Sequence, residues 1–366
     1  MRTFGIRLTG LKTLSAARDA RDPAVMNRPN DSPTVSAAGQ AHLLARHTQY
    51  LIAMAARAPS VHNSQPWRFR AGPRAIELWS DPRRKVQHDP IGREMLISCG
   101  AALFGLRLAV RSLGYQPVVD LLPDRSKLRF MARVSIGAPV PMNRLERQML
   151  AAVSRRHTHR GPFTADPLPA GLLAGLQNDA LVEGATLALV DEGLGYARLA
   201  RIAAAAARRG DLDPRARAEI RRWTRNAVST ARDGIPATAL AVGPPEHIQH
   251  GRLPQRDFDL RRGLALLPAS GPAPAATAIL LTAGDRRADW LCAGQALQRL
   301  LLHAAAGWVF ASLHTQPLEN AVTRALIRHQ LALPGNPQML LQFGSAVSAA
   351  STARRPPSEV TDPTGP

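Results

Sequence analysis

Cys99-Gly100-Ala101-Ala102-Leu103 lies inside a run (Met95, Cys99, Ala102, Leu103, Leu106, Val110, Leu113) whose spacing predicts one long helix, closed by Gly114. Cys292-Ala293-Gly294-Gln295-Ala296-Leu297 echoes that text, shifted by one position at the cysteine. It sits in a second long helix, with Trp290, Gly294, Leu297, Leu301 and Ala304 spaced alternately by four and three. Each helix follows a β segment and precedes another. Ahead of the first, a helix begins at Gln40, carries Leu43, His47, Leu51, Met54 and Ala58 on one face and stops at Pro59; strands at 67–70 and 75–79 flank Gly72-Pro73 as a hairpin. Beyond it come a strand at 128–136, a break at 137–141, and a helix through Leu145, Met149, Ala152 and Val153 that ends at Arg155-Arg156. The same order then recurs: a strand at 185–190, an Ala-rich helix around Ile202, a strand at 278–282, the second long helix, and a last strand at 339–343. The chain therefore reads as α+β, with two related halves at 38–140 and 141–350. A charged, Pro-broken insertion at 211–262 interrupts the second half, and 351–366 form a basic tail.

Composition narrows the function classes. The 366 residues are 45% hydrophobic, 20% charged and 4% aromatic, with a formal net charge of +20. There is ample apolar material for a packed interior, and the length suits two domains or one duplicated one. No charge-free stretch is long enough to span a membrane; the apolar run at 300–313 is too short and contains His303. Lysine occurs only at Lys12, Lys85 and Lys127, so nearly all the basic charge is arginine, and it is scattered. Scarce aromatics and the lack of a zinc-finger pattern argue against nucleic acid and favour small anions. Cys99 and Cys292 lack CxxC partners and are expected to be reduced and buried in a cytoplasmic protein. Residues 1–37 show no hydrophobic period and are expected to form a disordered extension.

Two constellations carry chemistry. Ala58-Pro59-Ser60-Val61-His62-Asn63-Ser64-Gln65-Pro66-Trp67 packs hydroxyls and amides between a helix end and a strand. Such a loop suits a planar, hydrogen-bonding ligand, and the same residues equally serve as caps and turns. Ser154-Arg155-Arg156-His157-Thr158-His159-Arg160 concentrates donors whose geometry matches a phosphate. Arg354-Arg355 adds a basic pair near the C-terminus. Metal binding is not expected: no HExxH or three-ligand pattern appears, and a GxSxG elbow, a Walker A loop and GxGxxG are absent as well.

These residues resemble the nitroreductase superfamily, and most closely its Acg branch of FMN-binding proteins. The resemblance rests on residues 58–67 and 156–163, Asp233-Gly234-Ile235-Pro236, Arg256-Asp257-Phe258, Asp289-Trp290 through Gln295-Ala296-Leu297 with Gln316-Pro317-Leu318-Glu319, and Pro337-Gln338-Met339-Leu340-Leu341. It implies antiparallel sheets flanked by long helices, and two fused repeats that form an intramolecular pseudo-dimer with one complete FMN site. A monomer is then expected, because the fusion satisfies the interface internally. By position, the resemblance implies that Arg156, Arg354 and Arg355 hold the phosphate and that His157 and Thr158 touch the phosphate or ribityl chain. Arg160 would face the N1–O2 side of the ring. Ser60 and Asn63 would reach the isoalloxazine with Gln65 behind them, and Gln316, Pro317 and Leu318 would line the ring near N5. The insertion would form a lid that includes Gly243-Pro244-Pro245. Two functions remain open on these grounds. One is FMN sequestration with weak oxidoreductase activity; the other is NAD(P)H-dependent reduction of a nitroaromatic or quinone. A protein that binds anions or nucleic acid without flavin is a distant third.

Overall fold

A computed structural model describes residues 35–240, 253–260, 262–265, 272–346 and 351–362. Most of the expected N-terminal extension, and Gly243-Pro244-Pro245 of the expected lid, lie outside the described residues. In chain order the elements are α1 (Ala37–Ala55), β1 (Trp67–Ala71), β2 (Ile76–Ser80), α2 (Arg93–Ser112), β3 (Tyr115–Leu121), β4 (Phe130–Pro139), α3 (Arg144–Ala152), α4 (Leu172–Val182), β5 (Thr186–Leu189) and α5 (Leu194–Leu212). There follow α6 (Pro214–Trp223), β6 (Thr224–Arg225), β7 (Ile235–Pro236), β8 (Ala276–Thr282), α7 (Arg287–Ala306), β9 (Val309–Leu313), α8 (Gln316–Glu319), α9 (Ala321–Gln330), β10 (Asn336–Ser345) and α10 (Pro357–Val360).

Two antiparallel four-stranded sheets result, ordered β1-β2-β4-β3 and β5-β8-β10-β9. In each, a twenty-residue helix connects the second strand to the third: α2 in the first sheet, α7 in the second. The sheets differ in what covers them. Along β3 burial alternates residue by residue, as expected for a strand with one face in solvent. The second sheet is covered on both faces. Leu187, Ala278, Leu280 and Leu341 pack into the main core with α4 and α7, whereas Ala188, Ile279, Leu281 and Leu340 meet α5 and α9 in a second core. This double burial explains why β8 and β10 read as nearly continuous apolar runs.

The main core runs through both halves and is centred on α2 and α7. These helices touch backbone to backbone. A Cβ on Gly100 would lie 2.2 Å from the Leu291 carbonyl oxygen, and one on Gly294 would lie 2.0 Å from that of Ile97. The two glycines that make the sequence echo visible are thus the contact point of the helices. Among the described residues α2 alone is long and apolar enough to cross a membrane, and it is a buried core helix. Cys99, at its centre, is buried and free; its Sγ donates to the Pro66 carbonyl at 3.5 Å.

Several elements depart from the sequence expectation. α1 starts at Ala37 rather than Gln40, because Ser36 caps it and accepts from the Gly39 N–H at 3.1 Å. The strand β3 was not expected, since Pro117 breaks its pattern; it is an edge strand, where a missing donor is tolerated. β9 was hidden inside the apolar run at 300–313. α7 ends at Ala306, and Trp308, at φ 59°, turns the chain into the strand. The unexpected helices α4, α6 and α9 complete the second half and its insertion.

The backbone contact yields a sharp expectation. Gly294→Ala forces a methyl into peptide atoms that cannot rotate away and should lower stability by about 3 kcal/mol or more. Gly72→Ala, whose Cβ would sit 3.5 Å from the nearest atom, should cost under about 1 kcal/mol. Urea midpoints of the two variants check this.

Candidate functional site

The loop after α1 is held in an unusual conformation. His62, Asn63 and Gln65 have φ of 50°, 54° and 51°, in the left-handed region that non-glycine residues seldom adopt. Such residues cost on the order of 1–3 kcal/mol each and persist where surroundings over-determine them. The surroundings here are explicit. Ser60 Oγ accepts from the Gln65 N–H at 2.9 Å, and Asn63 Nδ2 donates to the Gly234 and Ala353 carbonyls at 3.0 and 3.1 Å. Gln65 Nε2 donates to the Arg232 carbonyl at 2.8 Å, while its Oε1 accepts from the Arg355 N–H at 2.8 Å. Asn63 and Gln65 therefore stitch residues 232–234 and the C-terminal tail to the loop, and neither lines the cavity described below. Arg84 reinforces this seam by donating to the Ser64 carbonyl at 2.6 Å and pairing with Asp233, which also pairs with Arg225 at 2.7 Å.

The basic run comes from the second half and lies beside the loop. It follows α3 and joins β9: Thr158 forms a parallel bridge with Ala311, whose carbonyl accepts the His159 N–H at 2.9 Å. Arg156 is 5% exposed and donates through Nη2 to the Arg57 carbonyl at 3.1 Å, leaving Nε and Nη1 buried without partners. Burial, then the charge of Arg57, holds its guanidinium down to about 10. Arg354 comes in from the tail with its Nε also unpartnered, and its Nη1 donates to the Thr352 carbonyl at 3.0 Å. Its pKa is pushed well below the arginine range by burial, then by Arg156, Arg57 and Arg160. Burial brings Arg160 to about 10 as well. Among the described residues no carboxylate pairs with Arg156, Arg160 or Arg354. Cations held together in this way, with orphaned donors, have the hydrogen-bonding capacity and charge that an anion with several oxygens requires.

A cavity opens next to this cluster, with about 940 Å³ of space including its mouth. Ser60, His62, Thr158, Arg160, Gln316 and Pro317 line it, together with Glu94 and Ser98 from α2, Leu297 from α7, and Ser312 and His314 from β9 and the turn after it. Residues 254–256 and Phe258 close one side. Three contacts pin this covering segment. The Pro254 carbonyl lies 3.2 Å from His314 Nδ1, the Leu253 N–H donates to Gln342 Oε1 at 3.2 Å, and Arg256 pairs with Glu319. Phe258 lies edge-on to His62 at 5.3 Å and under the Arg160 guanidinium at 5.5 Å. His314 is neutral at physiological pH, because burial lowers it to about 4, and it lies 2.9 Å from Ser312 Oγ.

Asn63, held by the insertion and the tail, Leu318 and Arg355 are placed differently from the sequence expectation. Leu318 is fully buried in the second core and does not reach the cavity, because the short turn α8 points it inward between α5 and α9. Arg355 turns away from Arg354; its Nε lies 3.3 Å from Glu359 Oε2 in the following turn. His157, expected to touch the phosphate or ribityl chain, packs against Phe310 at 4.7 Å with its Nδ1 2.5 Å from the Arg155 carbonyl; its Nε2 is buried without a partner, and burial lowers its pKa to about 4. Conversely, His62, Glu94, Ser98, Arg57, Ser312 and His314 were not singled out from sequence. His62 and Arg57 belong to or adjoin a motif already noticed; the others come from separate segments that only folding unites.

No family model matches the chain. The chain is 33% identical over 356 residues, 95% of its length and 97% of the relative's, to the Mycobacterium tuberculosis protein "Putative NAD(P)H nitroreductase Rv3131". It is 27% identical over 318 residues to the same organism's "Putative NAD(P)H nitroreductase acg", covering 84% of this chain and 93% of that one. It is also 29% identical over 317 residues to "Uncharacterized protein Rv3127", again of M. tuberculosis, covering 83% and 90%. Full-length likeness above 30%, joined to an α+β fold of antiparallel sheets and long helices, places the chain in the nitroreductase superfamily, in its Acg-like branch.

Proposed function

We propose that this chain binds FMN in the cavity and acts as a slow NAD(P)H-dependent reductase of small acceptors, its covering segment restricting access to the ring. The buried, unpaired guanidinium donors of Arg156 and Arg354 carry the reading. They fit a phosphate dianion, which would satisfy the orphaned N–H groups and neutralise the charge in one step. Thr158 and Ser60 add hydroxyl oxygens along the wall between the cluster and the open cavity. Arg160, beside Phe258, would face the pyrimidine edge of the ring and favour negative charge there. When bound, the cofactor supplies hydride acceptance and donation, so the protein need only hold, orient and shield. Arg355, Asn63 and Gln65 would act indirectly, by fixing the tail that carries Arg354. Gln316 and Pro317 would line the ring, with Leu318 behind them in the core.

The repeated strand order of the two sheets supports two fused halves, one supplying the 58–67 loop and the other the cations, hence one complete site in a monomer. A second reading, FMN storage without turnover, is favoured by the pins on residues 253–258. The two differ in one experiment. Anaerobic NADPH should bleach the yellow protein slowly, and an added quinone should restore the colour; bleaching by dithionite alone would select storage.

The anion site generates two further expectations. Arg156→Ala should weaken FMN binding roughly 10- to 150-fold, the loss of one charge-assisted hydrogen-bonding group at about 1.5–3 kcal/mol. Equilibrium dialysis against FMN measures it, and an unchanged constant would refute the phosphate assignment. In the flavin-free protein the same charge is a burden, so Arg156→Met should raise the urea midpoint and abolish any stabilisation by inorganic phosphate.

The pH dependence follows from the depressed arginines. Folded, flavin-free protein binds fewer protons than unfolded chain once pH exceeds about 10, the value to which burial lowers Arg156 and Arg160. Its stability should therefore rise with pH from there toward the ordinary arginine range; below it the destabilisation is fully present. Bound phosphate restores the arginine pKa values. FMN affinity should accordingly fall as pH rises through about 10, with proton uptake on binding visible by calorimetry in two buffers.

A further inference from the structure

Behind the cavity wall lies a cluster that the phosphate and ring assignments leave unused. His88 Nε2 sits 3.3 Å from Glu94 Oε2 and 3.2 Å from Glu319 Oε1, and its Nδ1 is buried without a partner. His62 lies beside it, edge-on, with ring centroids 5.3 Å apart. His62 lines the cavity, has its own Nε2 buried and unpartnered, and keeps its strained left-handed backbone. The charged groups facing this pair come from every neighbouring element. Arg256 of the covering segment pairs with Glu319, Arg93 of α2 lies 3.1 Å from Glu94, Asp89 holds the Met95 N–H at 2.9 Å, and Arg160 acts on His62 through its charge.

We propose that His88 and Glu319 store one exchangeable proton, and that His62 hands it to the oxygen of an acceptor being reduced in the cavity. This rests on the FMN reading above. The titration directions agree with it. Burial alone would lower His88, but Glu319 and Glu94 outweigh burial and raise it, while burial raises Glu319. Both shifts favour a proton held between the two side chains. Burial, then Arg256, His88 and Arg160, hold His62 far below the ordinary histidine value, so a proton passes through it without resting there. His88, Glu94 and Glu319 also place three ligand atoms within 4.8 Å of one another. Arg93 and Arg256 already compensate both carboxylates, however, and this favours a proton over a divalent cation.

Quinone reduction needs a hydride equivalent, which NAD(P)H supplies, and one further proton. The N–H bond at one nitrogen of His62 breaks as an O–H bond forms on the quinone oxygen. The other nitrogen takes the proton leaving the His88–Glu319 pair, through one bridging water or a ring rotation, so the imidazole ends neutral. Solvent then reloads the pair through side chains that are 13% and 14% exposed.

Histidine ¹⁵N NMR of the FMN-loaded and flavin-free protein tests the store. At pH 7 His88, assigned by its loss in His88→Gln, should be doubly protonated, and Glu319→Gln should move its titration to lower pH. A neutral His88, an unmoved titration, or stoichiometric Zn²⁺ bound at this cluster would overturn the proposal. Stopped-flow oxidation of the reduced protein by a quinone tests the hand-off. His62→Asn should slow it roughly 100-fold or more while FMN affinity is kept; an equal rate would overturn it. A protein that never binds FMN would sink the flavin reading instead, and the NMR result would still decide whether the proton store exists.

Discussion

Where α2 and α7 meet, Gly100 and Gly294 leave no room even for a methyl group, and the arrangement of both sheets follows from that approach. Each helix connects strands of one sheet, so their backbone contact sets the distance between the two sheets and joins both to one core. It also locates the cavity. Glu94, Ile97 and Ser98 on α2 and Leu297 on α7 form its inner wall, while loops from the two halves close over the outer side. A larger residue at either position would separate the helices and widen the space that the Ser60 loop and the Arg156 run must share.

The second constraint is electrostatic. Arg57, Arg156, Arg160 and Arg354 converge without a carboxylate among the described residues, an arrangement that stability alone would disfavour. The surrounding hydrogen bonds hold it in place. Asn63 and Gln65 bind the backbone at Ala353 and Arg355 and thereby deliver Arg354, and Asp362 takes Arg68 at 2.7 Å to anchor the end of the tail across β1. The strain of three left-handed residues in the loop is offset by these same bonds. Local conformational cost and buried, unpaired positive charge thus meet at this loop and its neighbours.

Periodicity made the central framework legible. The long helices and the hairpin carry apolar patterns of clear period, β8 and β10 stand out as apolar runs, and the echo between residues 99–103 and 292–297 pointed to the very residues that touch. Legibility failed where a pattern was interrupted or fused: Pro117 concealed β3, and an apolar run that continues past the end of α7 concealed β9. At the site, local density of polar and basic residues revealed the loop and the Arg156 run. It could not reveal which way a side chain turns. Leu318 goes to the core and Arg355 to Glu359, whereas Glu94 and His314 arrive from elsewhere in the chain.

The amino-acid sequence by itself determined the α+β class, the repeated order of elements, the membership in a family of related proteins and the two chemical patches, because each depends on residues near one another in the chain. Tertiary structure alone decided that those patches face each other across one cavity, that Arg354 and not Arg355 joins the cationic cluster, and that His62 and His88 lie side by side. Those outcomes depend on how two helices approach and how a tail is tied down, and no local pattern encodes distances between segments that lie in different turns and elements of the chain.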